Sequence, residues 1–102
     1  MPFDLHAEIA RIAPAMVETR RDLHRFPELA FAETRTAGII AERLRSLGLD
    51  VRTGVGRTGV TGLLHGRSGG RTIALRADID ALPIDERSGA AYASETQGAM
   101  HA

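Results

Sequence analysis

The chain has 102 residues, enough for one small domain and too few for two. Acidic and basic residues balance at 13 each, so no net field argues for nucleic acid or an anionic membrane as a partner. Cysteine is absent, which excludes a disulfide framework and a thiolate metal site in these residues.

From the N-terminus, "MPFDLH" lacks the basic and apolar regions of a secretory signal. No apolar run approaches the ~20 residues of a membrane span, so the expected compartment is the cytoplasm. Leu5, Ile9, Ile12, Met16 and Leu23 recur at helical spacing and predict a first helix. Pro14 interrupts this pattern, predicting a kink or a restart with proline in the first turn. Pro27 drives Phe26 out of the α region and should end the helix. A second helix is expected from about Glu33 to Leu47, with Ala37, Ile40, Ala41, Leu44 and Leu47 as its apolar stripe. Gly48 then reads as a positive-φ cap, with Leu49 folding back on the last turn.

Beyond Asp50 the period changes from about 3.6 to about 2. Val51, Thr53 and Val55 form one candidate strand, "VTGLLHG" (60–66) a second and "RTIALRA" (71–77) a third. The loop "GRSGG" (66–70) is short enough to make a hairpin of the last two. The remainder, from Ile84, has no apolar period. The fold class expected is α/β, two helices followed by strands. One-sided helices and strands need another layer, so the chain reads as part of a longer protein.

"GVGRTG" (54–59) has the glycine spacing of a dinucleotide loop, but such a loop must open a helix. Val60-Thr61-Gly62-Leu63-Leu64 is strand-like, so these are turn glycines between strands. His24 lies near a helix end, where a lone histidine is usually a cap or a surface residue. Glu28 reads as a solvated or capping carboxylate. Asp78 and Asp80, at the end of the third candidate strand, carry the strongest chemical signal. Like charges this close raise each other's pKa unless a cation or donors neutralise them. The further ligands of an EF-hand are missing. His101, in "GAMHA", has no meaning alone.

In order, "RRDLHRFPELAFAETRTA", "IAERLRSLGLDV", "GVGRTGVTGLL", "GGRTIALRADIDALPIDE" and "GAMHA" resemble the N-terminal part of a family of amidohydrolases. This family includes hippurate hydrolase, N-acyl-amino-acid amidohydrolases and indole-acetyl-amino-acid hydrolases, in the aminoacylase and carboxypeptidase branch of metal-dependent exopeptidases. The resemblance implies that residues 1–102 are an incomplete piece of a three-layer, mixed-sheet catalytic domain, without the lid domain used for dimerisation. It implies a homo-oligomeric parent that hydrolyses the amide of N-acyl amino acids with two divalent ions, Zn²⁺ or Mn²⁺. By the same resemblance Asp80 matches the acid that orients a metal-binding histidine. Asp78 stands where other branches carry that histidine, and the two acids are the candidate catalytic residues. The ligand cluster Cys-Gly-His-Asp-Gly-His would begin directly after "MHA", so no metal ligand is expected within this chain, and the chain alone is expected to be inactive. Phe26 departs from the His or Asn common at that position. The competing expectation is a small non-enzymatic α/β interaction module whose apolar faces dock a partner.

Overall fold

The computed structural model describes residues 2–67 and 69–102, and two helices followed by a small antiparallel sheet make up its regular structure. Helix α1 spans Leu5–Arg25 and begins at Asp4, whose carboxylate accepts from the Ala7 N–H at 3.1 Å. That bond satisfies one of the donors a helix start leaves free. The helix runs through Pro14 without restarting. It stops at Phe26, which takes φ −119° and ψ 65° ahead of Pro27. Its apolar stripe is largely uncovered: Leu5, Ile9, Ile12 and Met16 are all exposed, and Leu23 is half-buried.

Helix α2, Thr34–Ser46, starts without a side-chain bond from the preceding residue, Glu33. Glu28 caps it instead, accepting from Arg35 N–H at 3.0 Å and Thr36 N–H at 2.6 Å. At the far end Gly48 adopts φ +82°; its N–H bonds Arg45 C=O at 2.9 Å and that of Leu49 bonds Leu44 C=O at 3.2 Å. These are the two reversed bonds of a glycine-terminated helix, as the sequence predicts.

Strands β1 (Asp50–Val55) and β2 (Gly59–Leu63) form an antiparallel hairpin that packs on α2. Arg52 faces Thr61 whereas Val55 faces Gly59, so the register slips by one residue, and Gly54 at φ +68° absorbs it. The glycine motif is therefore the tip of a hairpin, as expected. Gly62 packs closely: a Cβ there would stand 3.0 Å from both Leu44 Cδ1 and Leu49 Cδ2, so both leucines would have to shift.

The third expected strand does not form. Residues 71–77 pair with nothing among the described residues, and Ile73 and Leu75 are 88% and 97% exposed. The alternating pattern is present, but a strand exists only through hydrogen bonds to a neighbour, and none lies alongside. The expected 66–70 hairpin is accordingly missing among the described residues; Ser68 lies outside them. Beyond this arm the chain is pinned again. Ala81 N–H bonds Glu28 C=O at 2.8 Å, and Leu82 and Met100 exchange backbone bonds of 2.9 and 3.0 Å. The small buried core comprises Ala41, Ala81 and Ala99 with Thr36, His24 and Glu33.

Candidate functional site

Asp78 and Asp80 sit where the free arm meets the pinned segment. Both are exposed. Asp78 pairs with Arg76 at 3.2 Å, but the side chains are 74% and 90% exposed, so water screens the pair and it contributes little. Asp78 and Asp80 line a cleft of about 340 Å³ together with Phe31, Glu33, Thr58 and Arg76. Two non-glycine residues adopt the left-handed region nearby: Phe31, which lines the cleft, at φ +64°, and Arg57, in the hairpin turn, at φ +83°. The Arg57 guanidinium lies 4.6 Å from the centre of the Phe31 ring. Such backbone costs on the order of 1–3 kcal/mol per residue and persists only where surroundings enforce it.

Glu33 ties the Phe31 loop to the hairpin turn. This buried carboxylate accepts from the Thr58 hydroxyl at the hairpin tip and from Phe31 N–H at 3.0 Å. The Thr58 hydroxyl holds its pKa below the ordinary carboxylate value, against burial and the nearby Glu28 charge. Glu28 is also depressed: burial pushes it up, but the Thr36 and Arg35 N–H groups outweigh that. Its capping role was one of the two readings open in the sequence. Glu33 carried no signal there beyond its place before a helix.

His24 departs from expectation. It is neither a cap nor a surface residue but is 7% exposed, and its Nε2 lies 2.7 Å from Glu86 Oε1. Glu86 also accepts from the Ser88 hydroxyl and, at 2.9 Å, from Ser94 N–H. The Ser88 bond first, then that of Ser94, keep Glu86 below the ordinary carboxylate value despite burial. An ionised carboxylate can only accept, so Nε2 carries the hydrogen and donates. Tyr92 meets the His24 ring edge-on at 5.7 Å, and Arg21 covers Tyr92 at 4.7 Å. Sequence reading missed Glu86, 62 residues away, because no local pattern announces it.

A second, amphipathic cleft of about 610 Å³ brings together His24, Asp78, His101 and Thr36, floored by Leu23 and Ile40. His101 is half-buried with its Nε2 buried and unpartnered. Burial holds its pKa below the usual histidine value; the His24 ring adds to that effect and Asp80 opposes it. The structure thus gathers His24, Asp78 and His101 around one cleft, and Asp78 and Asp80 around the other.

This arrangement has close counterparts. YhaA of Bacillus subtilis is 51% identical over 87 residues, covering 85% of this chain and 22% of that protein. Hippurate hydrolase of Campylobacter jejuni is 37% identical over 99 residues, covering 97% of this chain and 26% of that protein. The crystal structure of the Bacillus subtilis YXEP protein, a dinuclear metal binding peptidase from the M20 family, superposes with a TM-score of 0.83 at 39% identity. The superposition covers 90% of this chain and 26% of YXEP. The chain is homologous to M20-family metallopeptidases and amidohydrolases. No family model matches it. It spans about a quarter of the length of these relatives. In contrast to a dinuclear M20 centre, no group of three or more His, Cys, Asp or Glu among the described residues could hold a metal ion. No helix of the described residues is long and apolar enough to cross a membrane.

Proposed function

We propose that this chain contributes part of the catalytic domain of a metal-dependent amidohydrolase that cleaves the amide bond of N-acyl amino acids, hippurate-like substrates among them. The observation that carries the reading is the two acids at the pinned end of the arm, in a chain that superposes on a dinuclear M20 peptidase over 90% of its length. Asp80 is the orienting acid of the reaction centre and Asp78 its neighbour. The two divalent ions, Zn²⁺ or Mn²⁺, would activate water and polarise the scissile carbonyl. The described residues do not by themselves make a ligand set for these ions. In this reading the surrounding protein is a homo-oligomer with a mixed-sheet core and a separate lid, and it works in the cytoplasm.

The test is a chimaera in which residues 1–102 replace the matching segment of the Campylobacter jejuni hippurate hydrolase. Metal-dependent release of benzoate and glycine is expected, with Asp80→Ala lowering turnover about 10- to 100-fold, the scale for disturbing a group that orients a metal ligand. A folded, metal-loaded chimaera that is inert, or one indifferent to Asp80→Ala, would refute the reading. Residues 1–102 alone should give no turnover with either ion.

The second reading is a non-enzymatic interaction module, favoured by the bare apolar faces at Ile73 and Leu75. A monodisperse, cooperatively melting monomer of residues 1–102 would move the balance toward it.

A further inference from the structure

A buried carboxylate–imidazole pair needs a reason. Such pairs seldom add net stability, because desolvation cancels much of their attraction; their best-attested use is to fix one arrangement over others. Here the pair links two parts of the chain 62 residues apart. From Glu86 a path of hydrogen bonds and peptide links leads back to the backbone beside the acids. Glu86 accepts from Ser94 N–H at 2.9 Å. The Ser94 hydroxyl donates to Ala99 C=O at 2.7 Å. The next residue, Met100, exchanges two backbone bonds with Leu82. Leu82 follows Ala81, whose N–H is held by Glu28 C=O, and Ala81 follows Asp80. Two further bonds support the same segment: Glu95 N–H to Arg25 C=O at 2.8 Å, and Gly98 N–H to Asp85 at 2.7 Å.

We propose that His24 and Glu86 are positioning residues for the acid-bearing edge: their buried bond fixes the 84–100 segment on the end of α1 and so sets where Asp80 and His101 stand. Neither residue touches the acids directly. Asp80 keeps an exposed side chain for chemistry while the backbone on its C-terminal side is clamped from two directions, by Leu29 and by Met100. The significance for catalysis rests on the hydrolase reading above; the positioning itself does not.

The test therefore uses the 102-residue chain without substrate, isotopically labelled for NMR. His24→Leu removes the donor, Glu86→Gln the charged acceptor, and His24→Gln keeps a donor near Nε2. Both disruptive variants should shift the Ala81, Leu82 and Met100 amide signals and the His101 ring signals. They should also speed Leu82 and Met100 amide exchange by about tenfold or more, as a weakened local opening unit does. His24→Gln should restore most of this, and the amides of residues 50–63 should not move. Perturbation that stops within residues 84–96, or a His24→Gln chain no better than His24→Leu, would overturn the proposal.

If a disruptive variant does not fold, native-state exchange of the unmodified chain decides. Leu82, Ser94, Glu95 and Met100 should open together with one free energy, and independent opening of Ser94 and Leu82 would overturn the inference. Loss of hydrolysis in the chimaera would leave these readings untouched, and the converse also holds.

Discussion

The segment around Glu28, Glu33 and Glu86 and the arm at 71–77 are built on opposite principles. The first buries three carboxylates' worth of polar contact, each acid bonded to backbone N–H or hydroxyl donors. The second carries an alternating apolar pattern, yet its Ile73 and Leu75 are 88% and 97% exposed. Hydrophobic pattern thus does not decide which part of this chain is ordered against the rest. Polar groups can be satisfied by near neighbours, one bond at a time, whereas an apolar strand is stable only once a sheet and a covering layer exist around it. Helix α1 repeats the contrast within itself. Its C-terminal half is tied by Asp22 to Arg35 at 2.9 Å, Thr19 to Arg43 at 3.3 Å and His24 to Glu86, while its N-terminal half presents a bare apolar stripe.

The sharpest way to break the ordered side is at the hairpin tip. A Cβ at Gly59 would stand 2.4 Å from the Val55 carbonyl oxygen, a backbone atom that cannot rotate away. Gly59→Val should cost about 3 kcal/mol or more. Thermal melting monitored by circular dichroism would show it, with loss of the β1–β2 cross-strand NOEs. Acid should act next. Glu28, Glu33 and Glu86 all have folded pKa values below the ordinary 4.5, so the unfolded chain binds protons first as pH falls. Their stabilisation is complete well above that value and is lost as pH drops through it. His101 is depressed from 6.5, so it too favours the unfolded chain on protonation, beginning earlier. The melting temperature should be level from pH 8 to about 7, decline below about 6.5 and fall faster below about 4.5. A melting temperature that rises between pH 7 and 5 would contradict the assigned directions.

Much of the ordered side was legible because its signals are local. Pro27 and Gly48 mark the two helix ends through local backbone restriction, and the apolar spacing that ends in Leu44 places that residue against Gly62 of the hairpin. The glycines at 54–59 read correctly as a turn because no helix could follow them. The arm misled for a physical reason: "RTIALRA" encodes a face, not a neighbour, and pairing depends on residues elsewhere. The position of Asp78 and Asp80 at the arm's end could be read, but the bonds that fix it could not. His24 finds Glu86 across the chain, and Glu33 finds Thr58 through the meeting of two loops. Nothing in the spacing of either pair anticipates the contact.

Two smaller effects sharpen the contrast. Glu28→Ala removes the cap of α2 and should cost about 1 kcal/mol, the usual value for a lost N-terminal cap. Arg35 and Thr36 amides should exchange faster while the Schellman bonds at Gly48 and Leu49 persist; equal loss at both ends would mean that Glu28 does more than cap. On the arm the expectation reverses. Leu75 is 97% exposed, so replacing it with serine removes no packing in the isolated chain. Leu75→Ser, with or without Ile73→Thr, should leave stability within about 0.5 kcal/mol and reduce self-association at high concentration. In the chimaera with hippurate hydrolase the same change should lower the melting temperature clearly, because the proposed mixed sheet would give the arm neighbours to pair with. An arm variant that destabilises the 102-residue chain as strongly as Gly59→Val would show that residues 71–77 are already packed in solution, and that the two regions do not differ in this way.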